Sequence, residues 1–433
     1  MRQEGVILRS IREPIVLAEI RDCRLIRHSD LPEQNRMPRK ILHLDLDAFF
    51  CAVEEQHNQS LPGQPFAVGG RPEHRGVVAA CSYSARRYGI HSAMPMARAV
   101  RLCPQLIIVP SRYELYQAAS RAVMAILHDL TPFVEQLSID EAFLDVTELA
   151  EPGQAIARDL QARIRRDLKL PCSIGVATSK LVAKIANNIG KASFQVEGDS
   201  TPRAITVVLP GQEAAFLAPL PVKELWGVGP KTEAKLTQIG LHTIGELADW
   251  SEADLVRRFG KHGHDLARRA RGLDDRQVEP EHEAKSISQE TTFARDISDV
   301  QLLRQTLRKL SEQVGQRLRQ SDLLGTTIKL KLRWSDFKTL TRQVTLKQPT
   351  NLDSEIYGAI VELFETSWPP GRRVRLLGVG VTKFETTARQ LELWNADFEA
   401  DQRLQSTLDE LRERFGDRSV QRGTELIDGT EKP

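Results

Sequence analysis

Ile41-Leu42-His43-Leu44-Asp45-Leu46-Asp47-Ala48-Phe49-Phe50 and Phe133-Val134-Glu135-Gln136-Leu137-Ser138-Ile139-Asp140-Glu141 are the two stretches whose reading decides the fold. In each, a short apolar run of the length of a buried strand leads into carboxylates. Asp45 and Asp140 lie 95 positions apart. A fold that lays the two strands side by side gathers those carboxylates at one spot. Like charges that share a site and lose hydration need a cation to be tolerable. Oxygen-only ligands favour a hard ion such as Mg²⁺. Two such ions about 3.5–4 Å apart form a platform for chemistry on phosphates. A single Asp also caps helices and closes turns, and that plain reading stands beside the metal one. Adjacent residues on a strand point to opposite faces, so Asp140 and Glu141 can share a site only at a hairpin bend.

Outward from these strings, 433 residues are too many for one core, and about three domains are expected. The net charge of +2 conceals an uneven distribution. Residues 286–390 carry 17 Lys/Arg against 11 Asp/Glu, and residues 391–433 carry 6 against 11. A basic module followed by an acidic tail suits a polyanion partner for the former only. Five cysteines without CxxC spacing argue against a zinc site or a disulfide framework. No stretch approaches the roughly 20 apolar residues of a membrane span, and no signal peptide opens the chain. A cytoplasmic protein is therefore expected. Residues 1–37 are poorly patterned, and Met37 is a candidate alternative start. Strands and helices alternate from Lys40 to about Gly198, an α+β pattern with a compact insertion near 60–111. Short helices with Gly and Pro punctuation follow, then a charged linker at 281–285. Beyond it, Ile328, Leu330 and Leu332 alternate with Lys329, Lys331 and Arg333, so one face of that strand packs and the other presents a row of cations.

Four further segments bear chemistry. In Tyr83-Ser84-Ala85-Arg86, Tyr83 and Arg86 share a helical face, and Arg86 suits a bidentate grip on phosphate or a solvated helix surface. Gly175 to Ala186 runs from strand through polar turn to helix; its helix start and Lys184 suit a triphosphate, or form a plain connector. Trp226-Gly227-Val228-Gly229-Pro230-Lys231 looks like a helix–hairpin–helix element whose glycines let backbone N–H groups approach a phosphate. Gln390-Leu391-Glu392-Leu393-Trp394 is a short polar–apolar–aromatic peptide able to plug a pocket on another protein or to dock on its own chain.

Taken together, Asp45-Leu46-Asp47-Ala48-Phe49-Phe50, Tyr83-Ser84-Ala85-Arg86, Ser138-Ile139-Asp140-Glu141-Ala142 and the Lys184 segment resemble the Y-family translesion DNA polymerases, bacterial polymerase IV branch, over roughly residues 38–385. The resemblance implies a right-hand fold: a ferredoxin-like palm (38–49 and 112–198), small fingers (50–111), a helical thumb (199–280), a linker (281–285), an α/β little finger (286–386) and a tail (387–433) with a clamp-binding motif. It implies dNTP addition to a primer 3′-OH on primer–template DNA, without proofreading, by a monomer. Asp45, Asp140, Glu141 and the Leu46 carbonyl would hold two Mg²⁺, with Asp47 in support. Phe50 would be the steric gate that excludes a ribose 2′-OH. Tyr83, Arg86 and Lys184 would hold the triphosphate. Gly227, Gly229, Lys231, Lys329, Lys331 and Arg333 would grip the DNA backbone, and Gln390, Leu391, Leu393 and Trp394 a sliding β clamp. Lys191-Ala192-Ser193-Phe194 departs from the turn usual in the family. The competing reading is a catalytically dead, clamp-bound adaptor, which the three carboxylates oppose.

Overall fold

A continuous apolar face on the first strand, β1 (Ile41–Leu46), sets the centre of a five-stranded sheet. The structure is a computed structural model that describes residues 38–193, 202–281, 283–385, 396–416 and 419–420. Segment 1–37, Phe194 and the peptide Gln390–Trp394 lie outside the described residues. After β1 come α1 (Phe49–His57), β2 (Phe66–Gly69), β3 (Val78–Cys81), α2 (Tyr83–Arg86), α3 (Met96–Leu102) and β4 (Ile107–Val109). Strands β2 to β4 form a separate three-stranded sheet in the order β3-β2-β4, with its own small core around Ala67, Cys81, Met94 and Met96. The expected insertion is thus a folded unit.

The chain then returns through α4 (Tyr113–Leu130), β5 (Val134–Gln136), β6 (Glu141–Asp145), α5 (Gly153–Leu168), β7 (Cys172–Ala177), α6 (Lys180–Ser193) and β8 (Ile205–Val207). The first sheet has the order β5-β6-β1-β7-β8. Alternation along β1 sends Leu42, Leu44 and Leu46 into the core under α4 and α5, and Ile41, His43 and Asp45 to the opposite face. On that face α6 approaches closely at Gly175. A Cβ there would lie 1.9 Å from the Ala183 carbonyl oxygen and 2.7 Å from the Asn187 nitrogen. Only glycine allows this approach, and it brings Lys184 and Asn187 over β1. Sequence reading opened a new unit at 199, yet Ile205–Val207 pairs in parallel with β7 and completes the first sheet.

A helical unit follows: α7 (Glu213–Leu217), α8 (Pro230–Gln238), α9 (Ile244–Asp249), α10 (Glu252–Phe259) and α11 (Lys261–Ala270). Its apolar residues merge with those of α6 into one core. A buried ion pair fastens it to the sheet: Lys180 Nζ lies 2.5 Å from Glu135 Oε2 and donates to the Gln277 carbonyl, while Glu279 N–H donates to the same carboxylate. Lys180→Met strands a buried carboxylate, and removing one partner of such a pair costs about 3–5 kcal/mol. Thermal unfolding of the variant should move down by several degrees, and Lys180→Met with Glu135→Leu together should recover most of the loss. A melting temperature unchanged by the single variant would refute this role.

The last unit is β9 (Ser286–Ile297), α12 (Val300–Gln320), β10 (Leu324–Trp334), β11 (Thr339–Thr350), α13 (Asp353–Ser367) and β12 (Val374–Glu385), an antiparallel sheet ordered β11-β10-β12-β9. Leu303, Leu307, Leu310, Val314 and Leu318 form the helical stripe of α12 that packs on Ile328, Leu330 and Leu332. A final helix, α14 (Ala396–Phe415), is tied to α12 where Arg319 Nε meets Asp409 Oδ2 at 2.6 Å. Part of the acidic tail therefore docks on its own chain. Among the described residues no helix is long and apolar enough to cross a membrane. Cys51, Cys81, Cys103 and Cys172 are buried free thiols.

Candidate active site

Cross-strand register builds the site. Asp45 on β1 stands opposite Glu141 on β6 and opposite Ser173 on β7. The ladder continues past the strand end, where Leu46 N–H donates to the Asp140 carbonyl at 2.9 Å. Asp140 sits in the turn between β5 and β6, closed by Leu137 and Ser138 N–H groups donating to the Glu141 carbonyl. The Ser138 hydroxyl donates to Asp140 Oδ1 at 2.5 Å and accepts from the Glu141 N–H. This is the hairpin bend that adjacent acidic residues require. The neighbour of β1 is the return strand β6, and not β5, the strand that leads into the second string.

Each carboxylate has its own partner. Lys191 Nζ, at the end of α6, lies 2.5 Å from Asp45 Oδ1 and 3.1 Å from Asp47 Oδ1. Lys184 Nζ lies 2.5 Å from Glu141 Oε2. Asp47 is fully buried and accepts from the Ser173 hydroxyl and the Arg203 N–H. It clamps β1 to β7 and shares Lys191 with Asp45. Burial, opposed by Lys191 and reinforced by Asp140 and Asp47, raises the Asp45 carboxyl to about 6. Burial also works to raise Glu141, but hydrogen bonds from His43 and Lys184 prevail and hold it at about 2. Burial lowers His43 to about 4, so the ring is neutral at pH 7. Among the described residues no three His, Cys, Asp or Glu side chains already stand as a metal cage. The donor set nevertheless suits a hard cation: three carboxylates where β1 ends and β6 begins, two of them already neutralised by an ammonium.

Phe50 lies on the first turn of α1, entered through Ala48 at φ 47°. Its ring stacks on Tyr116 of α4, with centroids 4.2 Å apart and planes 13° from parallel. The Tyr116 hydroxyl donates to Glu54 Oε1 at 2.5 Å, and Arg112 pairs with the same buried carboxylate. Phe50 is thus braced from behind by a stack anchored in an ionic network. On α2 the Arg86 guanidinium lies 4.5 Å over the Tyr83 ring, so the two share a face as the spacing implied. Burial and the charges of Asp47 and Asp45 push the Tyr83 phenol up, which puts Tyr83 within electrostatic reach of the acidic strings. A small cleft lined by Asp47, Ala48, Cys51, Ser82 and Tyr83 lies between α1 and α2.

Gly227, at φ +101°, turns the chain into α8, with Gly229 capping that helix and Lys231 exposed on it. A short 3-10 turn, Val222–Glu224, stands where a full first helix would be. Lys329, Lys331 and Arg333 lie on the sheet face turned away from α12 and α13. Lys331 pairs with Glu290, and Arg333 donates to the Thr339 hydroxyl. His43, Tyr116, Asn187 and Lys191 escaped sequence reading. One signal was available, since Lys184 and Lys191 are seven apart and share a face on any helix.

The pattern described as the impB/mucB/samB family matches residues 44–188, its C-terminal domain residues 284–393, and its helix–hairpin–helix motif residues 210–241. The chain is 40% identical over 389 residues to DNA polymerase IV of Dehalococcoides mccartyi (strain CBDB1), covering 89% of this chain and 97% of that one. The chain belongs to the Y-family DNA polymerases, in the polymerase IV group. A second polymerase IV, from Listeria monocytogenes serotype 4a (strain HCC23), is 41% identical over 350 residues, 80% of this chain and 96% of that one. A solved chimera of Y-family DNA polymerases superposes with a TM-score of 0.71 at 26% identity, covering 80% of this chain and all of that one. The right-hand Y-family fold is therefore the architecture of this chain. The 44–188 match encloses both acidic strings, Tyr83, Arg86 and Lys184. The other two matches enclose the Gly227–Lys231 hairpin and the basic strand β10. Like other Y-family polymerases, the chain is divalent-metal dependent.

Proposed function

We propose that this chain is a DNA-directed DNA polymerase of the translesion type, adding dNTPs to a primer 3′-OH at the edge of β1 and β6. The observation that carries this reading is the register that sets Asp45 opposite Glu141 with Asp140 at the adjoining turn. Asp45, Asp140, Glu141 and the Leu46 carbonyl would hold two Mg²⁺. When bound, such ions lower the pKa of an attacking hydroxyl and neutralise charge on transferring phosphate. Lys184, 2.5 Å from Glu141, would offer its ammonium to a triphosphate. Tyr83 and Arg86 offer a hydroxyl and a stacked guanidinium to phosphate oxygens. Phe50, braced by Tyr116, meets the sugar and excludes a 2′-OH.

On this reading the first sheet with α4 to α6 is the palm, the three-stranded unit the fingers, α7 to α11 the thumb, and the last sheet the little finger. The glycines of the thumb hairpin and the cations of β10 grip DNA phosphates. The chain works as a monomer in the compartment that holds DNA and dNTPs, the cytoplasm. Primer extension with Mg²⁺ and dNTPs tests the reading; a parent protein that extends no primer would overturn it. An inactive adaptor has no supporting observation, because all three carboxylates are present and converge.

Gln390, Leu391, Leu393 and Trp394 would bind a sliding β clamp, supported by their place just before the docked helix α14. Leu391→Ala with Leu393→Ala should lower capture on immobilised clamp by at least about tenfold, the loss of two apolar anchors. Undiminished capture would remove the clamp assignment.

A further inference from the structure

Beneath the acidic cluster His43 is fully buried on β1, on the face it shares with Asp45. Its Nε2 lies 3.2 Å from Glu141 Oε2, and its Nδ1 lies 3.0 Å from Asn187 Nδ2. Asn187 decides which ring nitrogen carries the proton. The same Nδ2 lies 3.2 Å from the His43 carbonyl and 3.2 Å from the Ser173 carbonyl. Only an NH₂ group can face two carbonyl oxygens, so this end of the amide is a donor. A donor facing Nδ1 requires Nδ1 to be bare, and a neutral imidazole then holds its proton on Nε2. That N–H points at Glu141.

Of the other groups around the ring, Lys184 is itself a donor, and its approach alone would favour a bare Nε2. Lys184 Nζ stands 3.4 Å from Nε2 but is committed to Glu141, and Phe143 covers the ring with centroids 4.8 Å apart. His43 and Lys184 both take Oε2, and among the described residues no side chain takes Oε1. We propose that Asn187 and His43 are positioning residues: Asn187 fixes the His43 tautomer, and the Nε2–H holds Glu141 with Oε1 turned to a metal. The metal half of this proposal rests on the reading of Glu141 as a ligand. The tautomer half stands on hydrogen-bond geometry alone.

Partners that orient a metal ligand are worth about 10–100-fold in metal affinity. The full-length protein labelled with ¹⁵N-histidine, metal-free, should give the Nε2–H tautomer for His43, its signals assigned by their loss in His43→Gln. Asn187→Asp, whose carboxylate accepts where the amide donated, should move that proton to Nδ1. With Mn²⁺ as the probe, His43→Leu should bind about tenfold more weakly than the parent. His43→Gln, which keeps an N–H toward Glu141, should stay within about threefold of it. An Nδ1–H signal in the parent would overturn the tautomer half. Equal Mn²⁺ affinities for parent and His43→Leu, or equal losses in the Leu and Gln variants, would overturn the positioning half. Glu141→Gln in the same titration separates the readings: undiminished Mn²⁺ binding there removes the Glu141 ligand assignment and the metal half with it, whatever the tautomer signal shows.

Discussion

Asp140→Asn is expected to lower primer extension in Mg²⁺ and dNTPs by about 10³-fold or more while leaving thermal unfolding nearly unchanged. The substitution keeps shape and removes one charge. Asp140 is held in the β5–β6 turn by its own backbone N–H and carbonyl and by Ser138, and Asn can keep those bonds. The loss therefore falls on charge available to a cation. Electrostatic groups aimed at developing charge are worth about 10²–10³-fold each by mutagenesis, and loss of a ligand to a reacting ion adds to that. Removing one of three like charges also eases the repulsion that raises Asp45, so the folded state loses nothing by it. Single-turnover extension of a labelled primer checks the first half, and calorimetry or circular dichroism the second. A variant within tenfold of the parent would show that Asp140 is a turn residue only.

Phe50→Ala is expected to shift the preference for dNTPs over rNTPs by about 10²–10³-fold, equivalent to about 2.7–4 kcal/mol of lost discrimination. Discrimination against an added hydroxyl is weak when it rests on a missing contact and strong when it rests on a clash. A clash needs a ring that cannot yield. Phe50 meets that need because Tyr116 stacks behind it and Glu54 and Arg112 hold Tyr116 in turn. Alanine removes the ring and leaves the brace, so dNTP incorporation should fall only severalfold. Tyr116→Leu should act in the same direction with a smaller shift, since the gate remains but loses its backing. Single-nucleotide insertion with each dNTP and rNTP gives the ratio directly. An unchanged ratio in Phe50→Ala would sink the gate assignment.

Much of this was legible in the chain itself. Alternation of Ile328, Leu330 and Leu332 with Lys329, Lys331 and Arg333 reads as a half-buried strand with a cationic face, and β10 is that strand. The demand for a bend at Asp140-Glu141 follows from the period of two along a strand, and the β5–β6 turn meets it. Asp47 was separable from Asp45 only through the family likeness, because both precede an apolar residue; its burial against Ser173 gives the physical reason. Less legible was the affiliation of Ile205–Val207. Three residues carry too little pattern to announce a sheet, and a long-range parallel pairing with β7 decided it. Whether the acidic tail docks on its own chain was likewise open in the sequence, and Arg319 meeting Asp409 decided it for the helix 396–415.

Sequence alone determined the carboxylate strings and the basic strand, since each is a local pattern of residue type and spacing; the gate role of Phe50 is what the family likeness implies. Only the tertiary structure decided what stands around them. Lys191 on Asp45, His43 between Asn187 and Glu141, and Tyr116 behind Phe50 all join residues 66–146 positions apart. Such contacts leave no periodic trace in the chain. They arise because glycine at 175 lets α6 descend onto the sheet and because α4 packs beneath α1, and those are properties of packed surfaces.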